Sequence, residues 1–184
     1  AGVHCDVRGK DDGRIDLALV VSEKPCNAAA VFTQNRLAAA PVRLGREQLA
    51  RADLFRGFVA NSGNANACTG DAGMRDARAM QAAAARRIGC EPDEIFVCST
   101  GRIGKPLPMK RIEKGIGEAA GRLSTGPEAG LAAADAILTS DTRRKVCRAS
   151  VETASGTVHL SGMAKGAGMI EPSMATMLAF LATD

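Results

Sequence analysis

Phe58-Val59-Ala60-Asn61-Ser62-Gly63-Asn64-Ala65-Asn66-Ala67-Cys68-Thr69-Gly70-Asp71 is the stretch on which the fold turns. It opens as a short apolar strand and passes at Asn61 into a run of turn-forming residues. Asp71 then sits where a helix cap belongs, ahead of an Ala- and Arg-rich segment from about Gly73 to Ile88, with Gly89 as the stop signal. Ile95 to Cys98 follows as a short buried-type strand that stops at Ser99-Thr100-Gly101. Strand, helix and strand in this order predict a mixed α/β or α+β layer.

The same reading extends outward. Leu17, Leu19 and Val21 alternate within a strand from Ile15 to Val21. Ala28 to Thr33 is a second apolar run, ended by Gln34-Asn35. Pro108 opens a helix with Ile112, Ile116, Ala119 and Leu123 on one face, and Glu128 to Leu138 reads as an Ala-rich helix. Val151 to Leu160 and Met177 to Leu181 are later strands. Ser124-Thr125-Gly126-Pro127 is a turn between helices, not a domain boundary.

Composition narrows the function. At 184 residues the sequence is one ordinary domain or most of one, and 46% hydrophobic with 24% charged residues is a globular balance. Trp and Tyr are absent and the net charge is only +4, so stacking platforms and a basic footprint for nucleic acid are both missing. The sequence begins at Ala1 without a basic start and apolar run, and no apolar stretch has the length of a membrane span, so neither a signal peptide nor a membrane partner is expected. The six cysteines lie far apart with no C-x-x-C pair, which suits reduced thiols in a cytoplasmic protein, and no metal is expected. His4 and His159 carry no recognisable chemistry, and no acidic pair has a distinctive spacing.

Three segments are hard to explain as packing alone. The Asn-rich run from Asn61 to Gly70 supports unusual turn geometry, although an Asx turn accounts for any single Asn. In Cys98-Ser99-Thr100-Gly101-Arg102-Ile103-Gly104, a Thr hydroxyl beside a Gly N–H at a strand end can aim two donors at one oxyanion; a capped turn accounts for it equally well. Gly162 to Met177 holds three glycines and Lys165 but lacks the order of a phosphate loop. There Thr176 either opens a strand or, if the bond before it is cut, becomes an N-terminal Thr whose own amine serves as base for its hydroxyl.

Taken together, the segments Asp16–Val20, Ala30–Asn35, Ala40–Val42, Asn61–Gly70, Cys98–Gly104 and Met163–Met169 through Met174–Leu178 resemble the ornithine acetyltransferase (ArgJ) family, in that family's order. The resemblance implies an α/β fold with mixed sheets sandwiched between helices, reminiscent of but distinct from the N-terminal-nucleophile hydrolases. It implies self-cleavage at Ala175–Thr176, with residues 1–175 as an α-chain domain and residues 176–184 as the start of a β chain. Thr176 matches the nucleophile, Thr100 and Gly101 the oxyanion hole, and Lys165 and Thr139 substrate-binding positions. Ser140 and Thr142 are alternatives to Thr139 if the match is shifted slightly.

The activity implied is glutamate N-acetyltransfer in arginine biosynthesis. Acetyl moves from N-acetylornithine to glutamate by ping-pong through acetyl-Thr176, with no cofactor and with acetyl-CoA as an alternative donor. The implied partner is a β chain, self-derived or separately encoded, in αβ heterodimers that assemble further. Three other readings stay open: a fragment or structural subunit without its β chain, an N-terminal-Thr amidohydrolase that releases acetate, and a paralogue acting on another substrate.

Overall fold

The alternation at Leu17 and Leu19 marks the centre of the main sheet, where both side chains are fully buried and the intervening Ala18 faces the opposite side. The computed structural model describes residues 1–170 and 176–184. The main sheet has the order β1 (Gly2–Val3), β2 (Leu17–Cys26), β3 (Phe55–Asn64), β4 (Ile95–Arg102). β1–β2 and β2–β3 are antiparallel, whereas β3–β4 is parallel. That parallel pair needs a crossover, and the helix α2 (Gly70–Ile88) supplies it.

Helices cover one face of this sheet. α1 (Ala40–Leu49) starts on Pro41, which suits a first helical turn. α2 ends where Gly89 adopts the left-handed conformation (φ 77°) and donates its N–H to Ala85 O at 2.8 Å. α3 (Met109–Gly121) follows Pro108. Leu44, Met80, Ile112 and Ile116 from these helices meet Leu17, Leu19, Val59 and Ile95 of the sheet in one core. Ile116 is fully buried there. Ile116→Ala should cost about 2–5 kcal/mol, through lost burial and a cavity. Urea unfolding should show it as a lower midpoint at unchanged slope.

The other face is covered differently. α4 (Pro127–Ala136) lays Ala133 and Ala136 against Ala18 and Ala60, with Ile137 beside them. Next to it lies a second, antiparallel sheet of β5 (Lys145–Thr153), β6 (Gly156–Lys165) and β7 (Leu178–Thr183). Met163 and Phe180 join the Ala18–Ile137 cluster, and the Phe58 and Phe180 rings stack with centroids 3.9 Å apart. The rest of β5–β7 projects away, leaving Val146, Val151 and Leu181 exposed.

Several elements depart from the sequence reading. The expected loop at Asn61 is the end of β3, and β4 likewise continues through Thr100 and Gly101 to Arg102. Residues Gly57 to Asn64 pair one by one with Ile95 to Arg102, so backbone pairing overrides the turn preference of Asn, Ser and Gly. Ala28–Thr33 forms no strand, and its Val31 is exposed. The expected single strand at Val151–Leu160 is a hairpin whose strands are linked by Ala154-Ser155. Thr69, not Asp71, holds the N-cap position of α2, and Asp71 lies in the first turn, where a negative charge suits the helix dipole. The six cysteines are all free thiols.

Candidate active site

The Asn-rich run frames the site rather than supplying its chemistry. Asn61 Nδ2 donates to Asn64 O at 2.9 Å and Asn64 Nδ2 to Pro106 O at 2.9 Å, while Arg102 Nε donates to Asn64 Oδ1 at 3.0 Å. Asn66 sits at positive φ and donates from Nδ2 to Gly73 O, fastening the start of α2. These bonds fix the last residues of β3 and β4, where the two sheets approach each other.

β4 carries Thr100 and Gly101 at that end. Thr100 is buried and shares a sheet face with Cys98, toward α4 and the second sheet. Gly101 has φ 127° beside Gly63, and a Cβ on it would stand 2.4 Å from the Gly63 carbonyl carbon and oxygen. Arg102 O accepts from Ala65 N on the β3 side, so strand alternation turns the Gly101 N–H toward the outer, strandless side of β4. Gly101→Ala should therefore force the two strands apart. A lower urea midpoint together with reduced activity is expected, and an unchanged midpoint would show that the strands accommodate the methyl.

Lys165, at the end of β6, is 4% exposed and gathers the other groups. Its Nζ donates to Thr139 Oγ1 at 2.7 Å, to Thr100 Oγ1 at 3.1 Å and to Thr176 O at 3.5 Å. A hydroxyl has one proton and two lone pairs, so Thr100 accepts from Lys165 and keeps its own O–H to donate. Of the three hydroxyl residues at 139, 140 and 142, Thr139 is the one that meets Lys165; Ser140 and Thr142 are exposed. Thr176 has φ 62°, which is an outlier for a β-branched residue. Ala175, the other half of the expected cleavage site, lies outside the described residues.

Sequence reasoning missed Asp141 and Lys145. Asp141 has a fully buried side chain. Its Oδ1 accepts from Lys145 Nζ at 2.6 Å and Gly166 N at 2.8 Å, and its Oδ2 accepts from Thr139 N at 3.4 Å and lies 4.0 Å from Lys165 Nζ. Burial pushes the Asp141 carboxyl up, but the Lys145 bond, the two backbone donors and the Lys145 charge outweigh it and hold the group at about 2. Burial pulls the Lys165 ammonium below its usual value; the Asp141 charge opposes that pull and Lys145 adds to it. Among the described residues, two ammonium groups around one carboxylate give the cluster a surplus positive charge, suited to an anion. A search for paired carboxylates could not find Asp141, because its partners are lysines and backbone N–H groups.

Over residues 1–184 the chain matches the model of the ArgJ family. The chain belongs to the ArgJ family. It is 50% identical to the arginine biosynthesis bifunctional protein ArgJ of Symbiobacterium thermophilum, over 100% of this chain and 45% of that protein. It is 51% identical to the ArgJ protein of Geobacter sulfurreducens, over 95% of this chain and 44% of that protein. The chain thus spans about half the length of the curated relatives it matches. Among solved structures, the ArgJ protein of Bacillus halodurans superposes with a TM-score of 0.86 at 38% identity, covering 95% of this chain and 89% of that one. The ornithine acetyltransferase of Mycobacterium tuberculosis, solved with ornithine, gives a TM-score of 0.85 at 39% identity, covering 95% and 91%. The ArgJ fold is thus the α/β architecture described above, and among the described residues no helix is long and apolar enough to cross a membrane.

Proposed function

We propose that this chain is the α portion of an ornithine acetyltransferase, with residues 1–175 forming the α chain and Thr176 beginning the β chain. The observation that carries the reading is the convergence of Thr100, Thr139 and the Thr176 carbonyl on the buried Lys165 Nζ, with Thr176 itself in a strained backbone conformation. A non-glycine residue held at such a φ stores about 1–3 kcal/mol, which cleavage of the bond before it would release. Chain lengths in the family fit as well. This chain covers 89% and 91% of the two solved chains but 45% and 44% of the two full-length proteins, the proportions expected if the family is cut near this point.

The chemistry follows from the groups present. Cleavage exchanges the Ala175–Thr176 amide for an Ala175 carboxylate and a free Thr176 amine, with water as the second reactant. An α-amine of ordinary pKa, about 7.7–8.0, is a competent base near neutral pH. It takes the proton of Thr176 Oγ as that oxygen attacks the acetyl carbonyl of N-acetylornithine. The tetrahedral oxyanion is held by the Thr100 hydroxyl and the Gly101 N–H. The proton passes to the departing ornithine amine, leaving an acetyl ester on Thr176. The glutamate amine then attacks that ester, giving N-acetylglutamate and regenerating the hydroxyl. Lys165 and Thr139 bind substrate, the lysine by its charge toward a carboxylate. Acetyl-CoA is the second donor in this scheme, and no cofactor enters it. The six free thiols suit a cytoplasmic setting, and the β chain completes the site in αβ heterodimers that assemble further.

The test uses the complete protein. Its intact mass should divide into two chains at Ala175–Thr176. N-acetylornithine should acetylate the β chain, and glutamate should discharge it as N-acetylglutamate. Free acetate as the only product would instead make the protein an amidohydrolase, and an uncut, inactive chain would make this portion structural.

A further inference from the structure

Among the described residues, Asp141 is the one carboxylate that meets both the cation of the site and the start of the segment leading to Thr176. Its side chain is fully buried behind Thr139, on the turn that follows α4. One oxygen accepts the Gly166 N–H and the Lys145 ammonium; the other faces Thr139 N and, at 4.0 Å, Lys165 Nζ. Lys165 reaches Thr100, Thr139 and Thr176 as a donor, so it must keep its protons to make all three contacts. An ammonium in so dry a place needs a counter-charge.

We infer that Asp141 is a positioning residue: its carboxylate keeps Lys165 charged and aimed at Thr100, Thr139 and Thr176, while Lys145, sharing the same carboxylate from β5, sets how firmly it does so. The inference rests on the reading of Thr176 as nucleophile and adds to it a control on the protonation of the site. Among the described residues, the charged groups facing Lys165 are Asp141 from the segment after α4 and Lys145 from β5; Thr100 of β4 presents a hydroxyl and Thr176 a carbonyl. The two charges act in opposite directions. Asp141 favours the charged form of Lys165, and Lys145 disfavours it.

The sign of each effect on activity follows. Lys165 works when protonated, so activity falls as pH rises through its pKa. Removing Asp141 lowers that pKa and brings the fall to lower pH. Removing Lys145 leaves an ionised Asp141 at alkaline pH, now free of a competing cation, and moves the fall to higher pH.

The experiment is the pH profile of kcat/KM for acetyl transfer by the complete, processed protein, in wild type, Asp141→Asn, Asp141→Glu and Lys145→Met, with Thr176→Ala alongside. In Asp141→Asn the alkaline limb should move acidward by about one pH unit or more, the usual size of an opposite charge at this range. Asp141→Glu should restore much of the wild-type limb, and Lys145→Met should move it the other way. The acid limb, set by the Thr176 amine, should stay in place. Lys145 is half exposed, so its variant remains informative if Asp141→Asn does not fold. Identical alkaline limbs in the Asp141 and Lys145 variants, with Thr176→Ala inactive, would overturn the role of Asp141 and leave the nucleophile intact. An active Thr176→Ala would instead remove the reading on which the role rests.

Discussion

Thr176→Ala in the complete protein should leave a single uncut chain with no acetyl transfer. Both losses come from one atom. In the proposed scheme the missing Oγ would attack the preceding carbonyl in the precursor and would carry the acetyl in the mature protein. Removing a nucleophile that works as a unit with its base removes nearly all of the chemical acceleration, and only binding and oxyanion contacts remain. The left-handed backbone at Thr176 gives the variant a second use. Alanine relieves β-branch crowding at that φ, so the uncut variant should be at least as stable as the uncleaved parent. Intact mass and product analysis by chromatography read the two activities separately. Acetyl transfer that survives in this variant would sink the nucleophile assignment.

The second large effect is expected at Thr100. Thr100→Ala should slow transfer by about 10²–10³ in kcat, the usual cost of one oxyanion donor, with a smaller change in KM. The hydroxyl accepts from Lys165 Nζ at 3.1 Å, which polarises its O–H toward whatever it donates to. Thr100→Ser keeps that hydroxyl and should recover most of the rate, whereas Thr100→Val keeps the shape and should not. Equal rates for Thr100→Val and the parent would place the oxyanion elsewhere.

Much of this fold is written in short-range pattern. The 3.6-residue spacing of Ile112, Ile116 and Ala119 and the stop at Gly89 locate α3 and the end of α2, because both depend only on neighbours along the chain. The ends of β3 and β4 are not written this way. Asn61 to Asn64 and Ser99 to Gly101 have the composition of turns and become strand only because each lies against the other. The site divides along the same line. Thr100, Gly101, Thr139, Lys165 and Thr176 are named by a resemblance spread over the whole sequence, and the structure brings three of them, Thr100, Thr139 and Thr176, around the ammonium of Lys165. Asp141 and Lys145 went unseen, since a buried carboxylate between two lysines leaves no spacing signature when one lysine sits four residues on and the other twenty-four.

The pairing of β7 with β6 bears on what cutting the chain would do. Leu178 to Thr183 lies hydrogen-bonded along Leu160 to Lys165, and Phe180 stacks on Phe58 of the main sheet. A break before Thr176 would therefore sever the covalent link but leave the first strand of the new chain woven into the sheet of the old one. The two products would never have to find each other by diffusion, and diluting them should not part them. The new amino terminus would also stay where the uncut peptide had held it, beside Lys165. Refolding the two chains after complete separation should accordingly be far less efficient than folding the precursor and letting it cut, because only the precursor delivers that strand as part of its own chain.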